Sequence, residues 1–194
     1  MAQQRLPVFQ KFIDDVRAVW AREKSTEVRM KATTELLRGL VSNDTMLAHS
    51  RDWPSTEGHK NLLLYEDPDY GFVVNAVVRT PGRFGSVHDH AHCWTAYGVL
   101  DGTEKLERFE RLDDGTKDGF ADVRMTSVTE GKHGSVDLVA PYDIHAEQGG
   151  PTRSVAVIVR SERVAGKVLQ GRYLPNEKKT YQGEGPTQVP FELT

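Results

Sequence analysis

Three of the seven histidines in the chain fall in one short run, His88-Asp89-His90-Ala91-His92. A fourth, His145, follows Ala140-Pro141-Tyr142-Asp143-Ile144 much further on. Side chains two apart on a β-strand share a face, so His88 and His90 turn their rings to the same side. Neutral imidazoles converging from one side are a donor set for a divalent transition metal. The run is therefore a candidate metal site. His92 has the same strand parity and can act as a further ligand, a proton shuttle or a residue of the rim; its place at the end of the run favours the rim or a supporting contact. Asp89, between two inward histidines, points outward to a salt bridge or hydrogen bond. His49, His59 and His133 read as surface residues.

Such a cluster has to be carried by strands, and the surrounding sequence supplies them. Asn61–Tyr65, Gly71–Arg79, Trp94–Leu100, Thr103–Arg111, Asp122–Thr129 and Arg153–Arg160 are short runs rich in Val, Tyr, Phe and Thr. Between them stand Asp67-Pro68-Asp69, Asp101-Gly102, Asp113-Asp114-Gly115 and Gly149-Gly150-Pro151, all turn chemistry. This spacing predicts an antiparallel sandwich or barrel over residues 57–164. Residues 1–56 differ: Phe9, Phe12, Ile13, Val16, Val19 and Trp20 recur at three and four, as do Leu36, Leu37, Leu40 and Val41, which is the period of amphipathic helices. Ser25 and Asn43 are suited to cap them. The tail, 165–194, has no clear period and is expected to wrap the barrel or a partner subunit.

Bulk properties narrow the function. The 194 residues carry a net charge of −3 with no basic cluster, which argues against nucleic acid as a partner. No apolar run reaches membrane-spanning length, and the N-terminus lacks a signal-peptide core. One cysteine, Cys93, excludes an intramolecular disulfide and fits a reducing compartment, so the reading is cytoplasmic.

Gly82, His88 and His90, followed by Gly102, resemble the first motif of the cupin superfamily, and His145 stands where the second motif places its histidine. The stretch from Asn61 to Arg160 resembles the cysteine-dioxygenase branch in particular. That resemblance implies a mainly β fold, the cupin double-stranded β-helix or jelly-roll barrel, with an N-terminal α-helical segment packed on it. It also implies Fe(II) held by His88, His90 and His145, with Zn, Ni or Mn as other possible occupants. The expected activity is that of a thiol dioxygenase, oxidising a small thiol-carboxylate with O2 to a sulfinate. The alternatives are a cupin metalloenzyme of different chemistry, a carbon–carbon bond-cleaving dioxygenase or an isomerase, and a non-catalytic metal- or ligand-binding cupin. A homodimer fits the fold.

Departures from the pattern shape the rest of the site. Most cupins add a glutamate where this chain has Trp94 and Thr95, and the dioxygenase branch also lacks it. Three neutral ligands leave the metal's charge uncompensated, which favours an anionic substrate. Lys60 stands where the branch places a carboxylate-binding arginine, and Arg160 where it places a tyrosine late in the barrel. Either is a candidate to hold the substrate, with Trp94 as a pocket wall. Tyr97 and Tyr142, with His92, are candidates for a catalytic or supporting role around the metal.

Overall fold

The computed structural model describes residues 5–194. Three helices come first: α1 (Pro7–Arg22), α2 (Thr26–Val41) and α3 (Asp44–Ser50). Their starts follow from the expected caps, since the Ser25 side chain accepts from the Val28 N–H and Asn43 Oδ1 accepts from those of Thr45 and Met46. Twelve strands follow. They are β1 (Lys60–Glu66), β2 (Val73–Arg79), β3 (Val87–His88), β4 (Thr95–Asp101), β5 (Thr103–Arg111) and β6 (Val123–Lys132), then β7 (Val136–Val139), β8 (Ile144–Gly149), β9 (Ser154–Arg160), β10 (Gln170–Leu174), β11 (Lys179–Gly183) and β12 (Thr187–Pro190).

The strands form two six-stranded sheets, ordered β12-β1-β2-β9-β4-β7 and β11-β10-β3-β8-β5-β6. Removing the edges leaves β2-β9-β4-β7 against β3-β8-β5-β6. That is the strand order of an eight-stranded jelly roll, so the fold is the double-stranded β-helix of cupins with helices at its N-terminal end. The tail finishes both sheets: β10 pairs antiparallel with β3, and β12 runs parallel to β1. It wraps the barrel by adding strands to it.

The main apolar core lies outside the barrel, between the helices and one sheet. Phe9, Trp20, Met30, Leu37 and Met46 pack there on Phe72, Val74, Leu100, Val157 and Val159. This explains why β2 and β9 read as nearly continuous apolar runs: the helices cover one face and the barrel interior takes the other, so every residue of both strands is buried. Helix α2 approaches β4 closely at Gly98, where a Cβ would come 2.9 Å from Val41 Cγ1 and 3.1 Å from Leu37 Cγ. Inside the barrel the apolar cluster is small, comprising Val77, Tyr97, Val99, Ala156 and Ile158. The remaining interior is polar and holds the site. Among the described residues, no helix is long and apolar enough to cross a membrane.

Candidate metal centre and anion pocket

His88 sits on β3 and pairs directly across the ladder with His145 of β8. After His88 the chain leaves the strand, and Asp89 fixes the exit. Its Oδ1 accepts from the N–H groups of Ala91 at 2.8 Å and Gly171 at 3.1 Å, and its Oδ2 accepts from the Tyr173 hydroxyl at 2.8 Å. Asp89 thus points away from the histidines and ties them to β10 by hydrogen bonds, as its parity predicts. Gly171 makes this possible, because a Cβ there would lie 2.1 Å from Asp89 Oδ2.

The result is a triangle of rings. Centroids are 4.7 Å apart for His88 and His90, 4.4 Å for His88 and His145, and 4.8 Å for His90 and His145. One donor atom from each lies within 4.8 Å of the others. Each ring is tethered through Nδ1: His88 to the Ser86 carbonyl at 2.8 Å, His145 to the Asp143 carbonyl at 2.8 Å, and His90 to the Gln170 amide at 2.9 Å. That leaves Nε2 as the free donor, and Nε2 of His145 is buried without any partner. Burial, reinforced by the adjacent His145, pushes His88 down to about 3 even though part of its ring meets solvent. Burial and then the Arg160 charge hold His90 well below the usual range. Tethered imidazoles around a buried nitrogen that makes no hydrogen bond fit a divalent transition metal.

Glu147 was not singled out by sequence. It stands two residues past His145 on β8, and that same i, i+2 parity is the signal that identifies it. Its Oε1 lies 3.5 Å from His145 Nε2 and its other oxygen 3.9 Å from Arg79. Burial alone would raise its carboxyl; its contact with His145, the neighbouring His88 and the Arg79 charge outweigh this and hold it below the carboxylate range, so it is ionised.

His88 and His90 open into a cavity of about 290 Å³. Besides histidine its lining carries five basic residues, Lys60, Arg79, Arg83, Arg160 and Arg172, and one acidic residue, Glu147. Most of the basic groups are committed. Arg79 donates to Glu104 at 3.0 and 3.1 Å and to Tyr97, Arg83 to the Thr56 carbonyl at 2.7 Å, and Arg172 to Ser86 Oγ at 2.9 Å and Gln170 Oε1 at 2.8 Å. Lys60 is exposed at the rim. Arg160 is 5% exposed and makes one side-chain bond, to Asn75 Oδ1 at 3.2 Å, with Nε unpartnered. Of the residues expected from the sequence, His88, His90, Lys60, Tyr97 and Arg160 line one cavity, and His145 completes the ring triangle beside it. Sequence reasoning missed Glu147, Gln170 and Arg172, the last two from the aperiodic tail.

Three expected site residues lie elsewhere. His92 does not join the ring triangle, because the strand has ended at His88 and Ala91 at φ +49° turns the chain, so strand parity no longer holds; His92 Nε2 meets Glu162 at 2.8 Å on the outside. Trp94 is one residue out of phase with the cavity-lining Thr95 and Tyr97, and it packs on the helix-side core. Tyr142 occupies a turn at φ +63° and is 65% exposed, away from the cavity lining. Tyr97 does line the cavity, but its hydroxyl accepts from Arg79 and donates to Glu104, so it is already committed. Cys93 is buried against Ser161 Oγ at 3.4 Å, also outside the cavity lining.

A jelly-roll barrel with three histidines at the mouth of its interior is the class that fold and site define. No family model matches the chain, and no curated protein matches its sequence. Solved structures resemble it at the level of the fold. The KdgF protein from Halomonas sp. is 16% identical, over 59% of this chain and 89% of its own, with a TM-score of 0.44. A Klebsiella pneumoniae protein with a double-stranded β-helix domain is 17% identical, over 70% and 88%, at 0.43. The cupin domain of Schizosaccharomyces pombe Cnp3 is 12% identical, over 53% of this chain and 60% of its own, at 0.41, so the chain spans less than two thirds of that relative.

Proposed function

We propose that the protein is a mononuclear iron(II) dioxygenase of the thiol dioxygenase type, acting on a small thiol-carboxylate. The observation that carries this reading is the Nε2 of His145, buried without a hydrogen-bond partner within a triangle of tethered histidines, beside a cavity whose charged lining is mostly basic. His88, His90 and His145 would hold the metal. Bound iron(II) supplies the one-electron chemistry by which a closed-shell thiolate reacts with triplet O2. The chain's own contribution is selection and placement. The basic lining favours the thiolate and carboxylate forms of a substrate. Val77 and Ile158 offer an apolar wall to a short carbon chain, and Lys60 or Arg160 supplies the counter-charge for its carboxylate. Both oxygen atoms of O2 end on sulfur, giving a sulfinate.

A second reading is favoured by Glu147. An ionised carboxylate beside the candidate metal centre can move a proton on a carbon acid, which is the requirement of a metal-assisted isomerase acting on an enolate. The two separate on oxygen. Protein loaded anaerobically with Fe(II) is expected to consume O2 only when cysteine or 3-mercaptopropionate is present, and not with their thiol-free analogues. Silence with every thiol overturns the dioxygenase reading, and turnover under strict anaerobiosis selects the isomerase. The His88→Ala protein should lose its metal by elemental analysis; full metal and activity in that variant would refute the assignment of the site.

A further inference from the structure

We infer that Thr95 and Arg160 together form a carboxylate-binding cradle inside the cavity, and that Lys60 at the rim is not the substrate's anchor. This deepens the proposed function and rests on it for the identity of the substrate, although the cradle itself can be tested apart from any turnover.

The two residues come from neighbouring strands of one sheet. Thr95 opens β4 and Arg160 closes β9, and they are direct partners in the ladder, so their side chains leave the sheet side by side on the same face. Both line the cavity. His88 and His145 come from β3 and β8 of the opposite sheet, so the cradle and the metal ligands look at one another across the barrel interior. A molecule spanning the two would lie between the sheets, against Val77 and Ile158.

Both residues are buried, Thr95 to 1% exposure and Arg160 to 5%, and both are left with unmet polar atoms: Thr95 Oγ1 and Arg160 Nε have no partner. Buried hydroxyl and guanidinium groups are normally paired, and a buried cation without a carboxylate is costly. Among the described residues no acidic side chain forms an ion pair with Arg160, whereas Arg79 on the same wall has Glu104. Burial accordingly lowers the Arg160 guanidinium from its ordinary value. An O–H and an N–H donor beside a fixed positive charge are matched by the two oxygens of a carboxylate, which would satisfy both orphaned atoms and the charge at once. Lys60 meets none of these conditions, being exposed at the start of β1.

Thr95 is not legible as a binding residue in the sequence. It draws notice there only as a residue standing where a glutamate is usual, and its meaning comes from its ladder partner.

The test uses the full-length chain and propionate, a carboxylate with neither thiol nor amine, titrated by ligand-observed NMR with and without Zn(II). Saturable binding of propionate, absent for the neutral propionamide, is expected in both states. Arg160→Met should abolish it, Thr95→Val should weaken it about tenfold, Arg160→Lys should restore part of it, and Lys60→Met should leave it unchanged. All four variants should retain stoichiometric Zn(II), because the histidines are untouched. Propionate bound as well by Arg160→Met as by the parent chain would overturn the cradle, and so would loss of binding in Lys60→Met. If Arg160→Met fails to fold, the Thr95→Val and Arg160→Lys titrations decide, and unchanged binding in both refutes the proposal. These results are independent of oxygen uptake, so the cradle and the dioxygenase reading can fail separately.

Discussion

His90 is held less by its own strand than by residues brought from the tail. Its ring meets Gln170, and the backbone just before it is clipped to β10 through Asp89, Gly171 and Tyr173. Groups that hold the second nitrogen of a ligating histidine fix its orientation, and losing one typically costs about 10–100-fold in metal affinity. Gln170→Ala should therefore weaken Zn(II) binding by about that factor while leaving the circular dichroism spectrum unchanged, with affinity read by chelator competition; parent-like affinity would show that Gln170 does not hold the ligand. Gly171→Ala acts on the same clip by collision and should lower both metal affinity and thermal stability. The three clustered histidines themselves were legible in the sequence as a candidate metal site because strand parity and motif spacing are local. Gln170, Arg172 and the Thr95–Arg160 pair were not, since each acquires its role from a partner distant in sequence.

At the level of elements, the expected strands match β1, β2, β4, β5, β6 and β9 to within a few residues at each end, because each is apolar or alternating enough to show its period. β8 escaped notice for a physical reason. Its His145 and Glu147 face a polar interior while Ala146 and Gln148 alternate on the other side, so the strand that carries a candidate metal ligand carries no apolar period. The tail strands β11 and β12 are short, mostly exposed sheet edges, and β10, though buried between β11 and β3, alternates Gln170 and Arg172 with Gly171 and so shows no apolar period. The helices were legible through their caps and apolar spacing. Their packing on β4 gives a prediction at this scale. Leu37→Ala should destabilise the protein by about 2–5 kcal/mol by leaving a cavity, and Gly98→Ala by about 1–3 kcal/mol by wedging α2 off β4. Urea unfolding reads both, and a Gly98→Ala protein as stable as the parent would mean that α2 is free to shift.

Across the whole molecule the two sheets divide the work. One sheet is backed by helices and supplies most of the apolar core, while the interior it shares with the other sheet is given over to charge. That interior makes the metal-free protein sensitive to acid. The unfolded chain protonates His88 near 6.5, but the folded protein resists until about 3, so between those values the unfolded state binds more protons and stability falls as pH drops. One such group contributes a slope of up to about 1.4 kcal/mol per pH unit. Urea midpoints of the metal-free protein at pH 7.0, 5.5 and 4.5 should descend accordingly, and more shallowly for His88→Asn. Parallel curves for the two proteins would contradict the depressed histidine.

The clip between His90 and Gln170 joins residues 80 positions apart, and β12 returns to pair with β1 at the far edge of its sheet. Chains dominated by such distant pairings close their loops late and fold slowly. An unfolded chain therefore has no three-histidine site to offer, and the site becomes complete only once the barrel has closed. Metal added during refolding should leave the refolding rate nearly unchanged and act on the reverse step, slowing unfolding in proportion to the stability that binding adds. Stopped-flow refolding and unfolding with and without Zn(II) would show this asymmetry, and an accelerated refolding limb would mean that the histidines gather before the barrel does.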